Sequence, residues 1–312
     1  MMYGLLITEA GTMPQLSKDK KKNKDLTVSI VSYNSLNLLR ECLRSIFKNP
    51  PSVKFRVIAV DNASEDGTVE FLKKNYPEIS LILNSDNLGF AAANNQAIKK
   101  SYSEYIILLN SDCEVYERSL DKLVSFMEEN PEVGIAGPKI FNSDGTIQLS
   151  CRKFPSMLNA AAHTVLGDIF PRNPFSRKYK LVDIRRNKPL SVDWVSGSCM
   201  IIRKKALEDT GYLDERYFMY VEDLDICYRM RQRNWEVYYY PEAGVMHHAA
   251  GSAGRGRLGA IRSSFRMQKS VFYFFWKNYR KSLKVITVPA IILVLGLRLF
   301  LAAIKSIFRL KK

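Results

Sequence analysis

The sequence lacks the closely spaced cysteine pairs that mark a disulfide framework or a zinc site. It has five cysteines, dispersed and without a CxxC spacing: Cys42, Cys113, Cys151, Cys199 and Cys227. An odd, scattered set is typical of reduced thiols in a cytosolic compartment. We therefore expect neither disulfides nor a structural zinc site.

Two glycine-rich phosphate-binding motifs are also missing. No GxGxxG follows the first apolar run, and GxxxxGK[ST] occurs nowhere in the chain. Rossmann dinucleotide-binding proteins and P-loop NTPases use these glycines to bring the backbone close to phosphate. The absence disfavours both classes.

Acidic residues are scarce relative to basic ones, and an N-terminal signal peptide is not evident. The chain has 47 Lys and Arg against 31 Asp and Glu, a net charge of +16, which favours anionic partners. The segment "YGLLITEAGTM" is weakly apolar and has no basic residues before it. We interpret residues 1–24 as a basic flexible leader. Apolar residues make up 46% of the chain, enough for a sizeable core.

Apolar runs alternate with helical patterns from residue 26 onward. The strand candidates "LTVSIVS", "FRVIAVD", "ISLILN" and "EYIILLN" are separated by segments such as "YNSLNLLRECLRSIF", which carries one apolar stripe. This order predicts an α/β fold with a mostly parallel sheet flanked by helices. Ligands of such sheets bind beyond the carboxyl ends of the strands.

Polar residues follow each of these four strands, so one edge of the sheet is expected to carry them all. They are Ser32, Tyr33, Asn34, Asp61, Asn62, residues 84–87, Asn110, Ser111 and Asp112. Asp112 could supply a hard oxygen ligand to a divalent cation on a nucleotide diphosphate. Each residue alone also fits an ordinary strand-end turn.

The stretch "VEDLDICYRM", residues 221–230, places three carboxylates within four positions. Glu222, Asp223 and Asp225 are either a solvated helix face or a catalytic base beside a diphosphate substrate. Clustered carboxylates raise one another's pKa, which keeps one of them basic near neutral pH. We expect Asp225 to be structural and to pair with Arg229, four residues along a helix.

The last sixty residues differ in composition from the rest. "GSAGRGRLG" resembles a flexible linker, "VFYFFW" is an aromatic cluster, and residues 285–304 are almost wholly apolar but interrupted by Pro289 and Arg298. Twenty apolar residues can span a bilayer, yet an interfacial or re-entrant helix fits the interruptions better, with the aromatic cluster at 271–276 near the lipid headgroups. A buried core helix is the alternative.

Six segments occur in an informative order: "VSIVSYN", "VIAVDNASEDGT", "NLGFAAANNQAI", "YIILLNSD", the region from "WVSGSCM" to "VEDLDICYRMR", and "PEAGVMHH". In that combination the chain resembles the inverting family 2 glycosyltransferases of the GT-A fold, especially bacterial rhamnosyltransferase-like members that build surface polysaccharides. The resemblance covers about residues 26–250 and implies a GT-A domain over 25–250. The composition of residues 251–312 predicts a linker followed by aromatic and apolar membrane-associated helices.

The resemblance implies roles for individual residues. Asp223 matches the general base, with Glu222 as runner-up, while Asp112 and His247 match the ligands of a Mg²⁺ or Mn²⁺ ion. The usual DxD motif reads Asn110-Ser111-Asp112 here, so its first carboxylate is missing. The nucleotide-sugar contacts are expected among Ser32, Tyr33, Asn34, Asp61, Asn87, Asn95, Asn110 and Ser111.

Trp194 and Gly197 are expected to line the sugar and acceptor cleft, although Trp194 could equally be an ordinary core residue. The implied donor is a dTDP- or UDP-linked sugar, with L-rhamnose as the leading guess. The implied acceptor is polyprenyl-diphosphate-linked or a polysaccharide, used at the cytoplasmic face of the cell membrane. A basic nucleic-acid-binding protein and a catalytically silent scaffold of the same fold are the alternatives.

Overall fold

The computed structural model describes residues 25–155, 187–249 and 257–279, with Tyr179, Leu181 and Gly296 in isolation; for 257–261 it describes the backbone only. The leader, residues 1–24, lies outside the described residues. The helices are α1 (Leu36–Lys48), α2 (Thr68–Asn75), α3 (Phe90–Lys100), α4 (Ser119–Glu129), α5 (Lys204–Thr210), α6 (Glu222–Gln232) and α7 (Arg257–Tyr279).

The strands form one large sheet and a small separate ribbon. They are β1 (Leu26–Ser32), β2 (Phe55–Asp61), β3 (Ser80–Leu83), β4 (Tyr105–Asn110), β5 (Cys113–Val115), β6 (Val133–Phe141), β7 (Ile147–Gln148), β8 (Cys151–Arg152), β9 (Leu190–Ser191), β10 (Trp194–Val195), β11 (Cys199–Arg203) and β12 (Glu236–His247). The main order is β3-β2-β1-β4-β11-β6-β12-β5, with β7 beside β6 and β9 beside β12, while β10 pairs with β8.

The first half of the sheet is parallel, as the sequence predicts. Strands β3, β2, β1 and β4 run in the same direction, and the four predicted apolar runs form them. Strand β11 then enters antiparallel between β4 and β6. The complete sheet is therefore mixed, with its parallel part carrying the strand-end polar residues.

Each face of the sheet is covered by helices, and β4 shows how one strand serves both. Ile107 and Leu109 pack into a core with α1 and α4, whereas Ile106 and Leu108 pack into a second core with α3, α5 and α6. Alternate side chains of a strand point to opposite faces. A continuous apolar run is thus what a strand buried on both sides requires.

Strand β12 is longer than its predicted core "WEVYYYP" and extends to His247. Its pairing with β6 shifts register between Tyr240 and Gly244, where Pro241 has no backbone N–H to donate to the ladder. Beyond the shift, β12 continues antiparallel to β5 and places His247 opposite Cys113. The irregularity lets a single strand reach from the sheet centre to the polar edge.

Helix α7 is part of the domain's core. Phe274 and Phe275 are each 1% exposed and belong to the second core with residues of α6. The expectation that the aromatic cluster as a whole lies near lipid headgroups is therefore wrong for these two rings. Among the described residues, no helix is long and apolar enough to cross a bilayer; residues 285–304, Gly296 apart, lie outside that part of the chain.

Candidate active site

The carboxyl ends of the parallel strands are joined by side-chain hydrogen bonds. Ser35 Oγ lies 3.0 Å from Ser32 Oγ at the end of β1 and donates to Ser111 Oγ, also at 3.0 Å, beyond β4. On the other side, Asn84 Nδ2 donates to Asn62 Oδ1 at 2.8 Å. The predicted polar edge therefore exists as one connected surface.

Asp61, the last residue of β2, is 2% exposed. Its Oδ1 accepts the backbone N–H of Ser64 at 2.9 Å, while its Oδ2 is buried without a hydrogen-bond partner. A buried carboxylate oxygen left unpaired is costly unless a ligand supplies a donor. Tyr33 lies at the same strand edge with half of its surface (51%) exposed.

A compact set of potential metal ligands lies just past β4. The Nε2 of His247 is 3.3 Å from Asp112 Oδ1, and ligand atoms of Asp112, Cys113 and His247 all lie within 4.8 Å of one another. Asn110 Nδ2 is 3.4 Å from the same imidazole nitrogen. A hard carboxylate oxygen beside an imidazole suits a divalent cation such as Mn²⁺.

Gln148 determines which imidazole nitrogen of His247 can bind metal. The Nδ1 of His247 is 2.9 Å from Gln148 Oε1. Since an amide oxygen only accepts, Nδ1 carries the proton and Nε2 keeps its lone pair toward Asp112. The donor set of Asp112 and His247 therefore fits a cation.

The segment between β10 and β11 connects the metal-ligand set to the acidic helix. The carbonyl of Ser198 accepts the backbone N–H of Asn110 at 2.9 Å and the thiol of Cys113 at 3.3 Å. One residue earlier, the backbone N–H of Gly197 donates to Asp223 Oδ2 at 2.9 Å. Metal ligands and acidic cluster are thus fixed to adjacent residues of one turn.

Gly197 leaves room for this contact. A Cβ at position 197 would lie 3.3 Å from the Cβ of Asp223 and 3.6 Å from the ring of Phe90. That spacing is tighter than most Cβ contacts, so a larger residue would push the carboxylate away. The absence of a side chain at Gly197 thus allows the close approach of Asp223, while its predicted place in the sugar and acceptor cleft stays a prediction.

The carboxylate of Asp223 is held at both oxygens at the start of α6. Its second oxygen, Oδ1, accepts the backbone N–H of Leu224 at 2.8 Å. Burial raises the pKa of Asp223, although the N–H groups of Gly197 and Leu224 and the charge of Arg152 work in the opposite direction. A raised pKa with a fixed orientation is what a general base needs.

Glu222 is more deeply buried, at 5% exposure, and its Oε2 has no hydrogen-bond partner. Burial, followed by the charge of Asp223, raises the pKa of Glu222 well above its ordinary range. The residues before it, Tyr220 and Val221, both have positive φ, 71° and 75°. Such backbone strain is uncommon for a β-branched residue and is concentrated at functional sites.

Comparison with known protein families shows where the chain belongs. The family model Glycosyl transferase family 2 matches residues 27–211. The chain belongs to this glycosyltransferase family.

Two curated relatives of the glycosyltransferase are a rhamnosyltransferase and a hexosyltransferase. It is 35% identical over 210 residues to N-acetylglucosaminyl-diphospho-decaprenol L-rhamnosyltransferase of Mycobacterium tuberculosis, a match over 64% of this chain and 68% of that protein. It is 27% identical over 214 residues to a low-salt glycan biosynthesis hexosyltransferase of Haloferax volcanii, over 67% and 62% of the two chains.

Solved structures share the fold. A Pyrobaculum calidifontis mannosyltransferase in complex with GDP-Man and Mn²⁺ aligns with a TM-score of 0.56 at 19% identity, over 92% of this chain and 78% of that one. GalNAc-T7 with UDP, GalNAc and Mn²⁺ gives 0.57 at 16% identity, over 82% and 50%. These likenesses confirm the predicted fold. The family match over residues 27–211, together with the rhamnosyltransferase relative, shows that the chain is a nucleotide-sugar-dependent glycosyltransferase.

Most of the site residues predicted for this glycosyltransferase lie at the sheet edge described above, but Asn95 does not. Its amide donates to Leu213 O at 2.8 Å and to Glu215 Oε1 at 2.9 Å, and its Oδ1 accepts the N–H of Leu213. Both ends of the amide are therefore used to hold the 213–215 segment. Asn95 therefore has a structural role in the fold, and its predicted nucleotide-sugar contact stays a prediction.

Three other predicted site residues, Asn34, Asn87 and Trp194, form hydrogen bonds within the protein. Asn34 Oδ1 accepts the N–H of Glu65, and Asn87 Oδ1 accepts the N–H of Gly89, so both oxygens shape the loops of the edge. Trp194 is 7% exposed and packs in the second core, its Nε1 donating to Lys153 O. The structure favours the core alternative for Trp194 over the cleft floor.

His247, the last residue of β12, and His248, which follows it, have separate environments. His248 Nε2 lies 2.7 Å from Glu114 Oε1 and its Nδ1 lies 2.9 Å from Ser143 Oγ, so both of its nitrogens are used away from Asp112. His247 alone joins the candidate metal site. The expected pairing of Asp225 with Arg229 is confirmed, at 2.8 Å.

Sequence reasoning missed two residues of the site, Gln148 and Arg152. Both lie in a stretch of irregular, basic composition that carries no readable motif. The guanidinium of Arg152 lies 5.0 Å from the ring centroid of Trp194, and its charge favours the ionised form of Asp223. The short strands β7 and β8, which carry these residues, gave no periodicity long enough to detect.

Proposed function

We propose that this glycosyltransferase moves a hexosyl group, with L-rhamnose as the leading candidate, from a nucleoside diphosphate to an acceptor hydroxyl with inversion at the anomeric carbon. The observation that carries the proposal is the turn at 196–198. It attaches the metal-ligand set through Ser198 and the carboxylate of Asp223 through Gly197. In a single displacement, the diphosphate leaves from one face of the anomeric carbon while a base acts on the opposite face. One turn that holds both the metal-ligand set and the carboxylate of Asp223 suits this reaction.

The donor is expected at the carboxyl ends of β1, β2 and β4. The unpaired Oδ2 of Asp61 can accept a hydrogen bond from the base or ribose, and the exposed ring of Tyr33 can stack on the base. Asp112 and His247 would hold a Mg²⁺ or Mn²⁺ ion against the diphosphate. A bound cation stabilises the negative charge of the departing diphosphate.

The missing first carboxylate of the DxD motif has a consequence for the metal. Asn110 stands where a second negative charge would be, so the protein offers one carboxylate, Asp112, and one neutral imidazole, His247. Donor diphosphate oxygens would complete the coordination. We therefore expect metal and donor to bind together more tightly than either binds alone.

Asp223 acts as the base in this proposal. As the acceptor oxygen forms its bond to the anomeric carbon, the bond from that carbon to the diphosphate oxygen breaks, and the acceptor proton passes to Asp223. The two N–H groups on its carboxylate hold the orientation, while burial keeps it basic. Glu222, without a hydrogen-bond partner on Oε2, remains the runner-up.

The proposed acceptor is carried on a polyprenyl diphosphate or is a growing polysaccharide, used at the cytoplasmic face of the cell membrane. The name of the mycobacterial relative includes a diphospho-decaprenol substrate. The +16 charge of the chain supports attraction to anionic lipid. Residues 251–312 are the segment proposed to associate with the membrane, as a peripheral element or through one apolar stretch.

The test is a panel of nucleotide sugars, scored first by Mn²⁺-dependent thermal stabilisation and then by transfer to a lipid-linked acceptor. Binding of the correct donor raises apparent stability by mass action. Asp112→Asn should lower transfer sharply, with partial recovery at high Mn²⁺, and His247→Ala should act in the same direction more mildly.

His248→Ala is the matched control, because the neighbouring imidazole contacts Glu114 instead of Asp112. It should keep wild-type metal dependence. An Asp112→Asn enzyme with unchanged transfer at low Mn²⁺ would remove that residue from the site, and a chain that binds oligonucleotides but no donor would overturn the proposal.

A further inference from the structure

The outer face of α7 carries a stripe that the proposed chemistry does not use. Phe265 is 58% exposed and Trp276 is 43% exposed, which is unusual for rings of this size. Arg262, Arg266 and Lys269 are exposed between them, and Phe272 stacks on Trp276 with ring centroids 6.4 Å apart. At 100° per residue these six side chains fall within an arc of about 120°.

Charge in the chain is concentrated at this end. Residues 243–312 contain fourteen Lys and Arg and no Asp or Glu. The other 33 basic residues nearly balance all 31 acidic ones. Most of the net charge of +16 therefore belongs to residues 243–312, the segment that contains α7.

The opposite face of α7 is fixed to the segment that leads into the proposed base. Ser270 Oγ donates to Met219 O at 3.2 Å, and Tyr220 and Ser263 share a hydrogen bond between their hydroxyls. At the edge of the outer stripe, the guanidinium of Arg266 lies 4.1 Å from the ring centroid of Phe218. Residues 218–220 immediately precede α6. Helix α7 therefore connects the outer stripe to the segment that leads into α6.

We propose that the stripe formed by Arg262, Phe265, Arg266, Lys269, Phe272 and Trp276 is a docking surface for an anionic lipid bilayer. The basic side chains can contact the lipid phosphates, and the exposed aromatic rings between them can insert toward the acyl chains beneath. Residues 257–279 contain basic but no acidic side chains. This favours an anionic lipid surface over a protein partner, whose surface would present both acidic and basic side chains.

This docking deepens the proposed function and rests on it for its purpose. A bilayer against α7 brings lipid-linked acceptors to the side of the site where residues 218–220 lead into Asp223. The catalytic domain would then lie on the membrane in one orientation. The face is formed within the described residues and does not depend on how residues 285–304 meet the bilayer.

The test uses the full chain and the natural fluorophore of the stripe. Vesicles of phosphatidylglycerol with brominated acyl chains should quench Trp276 fluorescence, and phosphatidylcholine vesicles should quench it much less. The chain has three tryptophans. In Trp276→Phe the other two tryptophans should show little quenching. Trp194 is buried, and Trp235 lies outside the stripe, where its indole N–H donates to Asp209.

Charge reversal provides the second measurement. Each basic residue near an anionic surface is worth about a fivefold change in partitioning, so Arg262→Glu with Lys269→Glu should weaken vesicle binding at least ~20-fold. Lys73→Glu with Lys74→Glu, on the exposed side of α2, changes the net charge equally and should have a much smaller effect. Equal losses for the two pairs would overturn the proposal.

The outcomes separate docking from catalysis. In vesicle-free buffer the Arg262→Glu, Lys269→Glu enzyme should hydrolyse the nucleotide sugar at the wild-type rate, while its transfer to a lipid-linked acceptor in vesicles falls. If the wild-type chain shows no hydrolysis, the proposed function fails while the quenching still reports docking. Unquenched Trp276 in vesicle-bound protein, or an oligomer or nucleic-acid complex that the double variant dissociates, would assign the face to another partner.

Discussion

Replacing Asp223 by asparagine tests the proposed base, and the structure shows that this change is not silent. Both carboxylate oxygens accept backbone N–H groups, from Gly197 at 2.9 Å and Leu224 at 2.8 Å. Asparagine offers one oxygen and one NH₂, so one of the two N–H donors would face another donor. A donor left unpaired costs ~1–3 kcal/mol, and Asp223→Asn should therefore also reduce stability.

The chemical loss should exceed the structural one. A general base contributes ~10²–10⁴-fold to rate, so the transfer rate at saturating donor should fall by that range while donor affinity stays within a few-fold. The measurements are single-turnover transfer, donor-dependent thermal shift and equilibrium unfolding on the same preparation. The unfolding curves show under which conditions the Asp223→Asn variant is fully folded. Its transfer rate is compared with the wild-type rate only under those conditions.

Glu222→Gln is the matched control, because it removes the neighbouring charge without disturbing a hydrogen bond of Oε2. It should lower transfer less than Asp223→Asn does. An active Asp223→Asn enzyme beside an inactive Glu222→Gln enzyme would exchange the two assignments. Loss of donor binding in both would mean that the cluster holds the metal.

The pH profile gives an independent check of the same base. Because burial raises the pKa of Asp223, the acid limb of kcat/KM should lie above the range of an ordinary aspartate. Arg152 favours the ionised form, so Arg152→Met should move that limb to still higher pH. A limb that does not respond to Arg152→Met would separate this arginine from the base.

Three further predictions concern side chains around the site. Gln148→Leu removes the acceptor that keeps the proton of His247 on Nδ1. Donor binding in the presence of Mn²⁺ should therefore weaken ~10–100-fold, measured by metal titration. Glu222→Gln should raise Tm above that of the wild type at pH 7–8. The pKa of Glu222 is raised by folding, so the stability of the wild type falls as pH rises toward that pKa. The difference in Tm between the two proteins should vanish below the ordinary pKa of 4.5. Lys277→Met should destabilise by ~2–4 kcal/mol, less than a fully buried pair because Lys277 is 22% exposed, whereas Arg216→Met, 68% exposed, should cost less than ~1 kcal/mol. Similar urea midpoints for the last two variants would contradict the reasoning.

The fold was predictable where secondary structure is regular and buried. The runs at 26–32, 55–61 and 105–110 appear as strands with the expected limits, because a strand buried on both sides must be apolar throughout. The direction of β11 was not predictable, since a buried apolar run has the same composition whether parallel or antiparallel to its neighbour. Pairing partners depend on contacts across long stretches of sequence.

The site divides in the same way. Asp112 and Asp223 follow from their places in motifs, and His247 from the strand that ends beside them. A motif alone did not reveal that the amide of Asn95 is used within the fold, where it holds the segment at Leu213. Gln148 acts through a single contact formed by tertiary structure, which no local pattern records.

The contact of Lys277 has a consequence for how such enzymes can be recombined. Its ammonium group bridges Asp214 at 2.8 Å and Asp225 at 2.7 Å, and Asp225 is completely buried within α6. A chimera joined at residue 250 would separate a lysine from two carboxylates on the other side of the junction and bury uncompensated charge. A crossover after Tyr279 keeps all three with their own parent. The natural unit of exchange between relatives therefore ends after α7, and C-terminal segments could be swapped there while the proposed base helix keeps its partner.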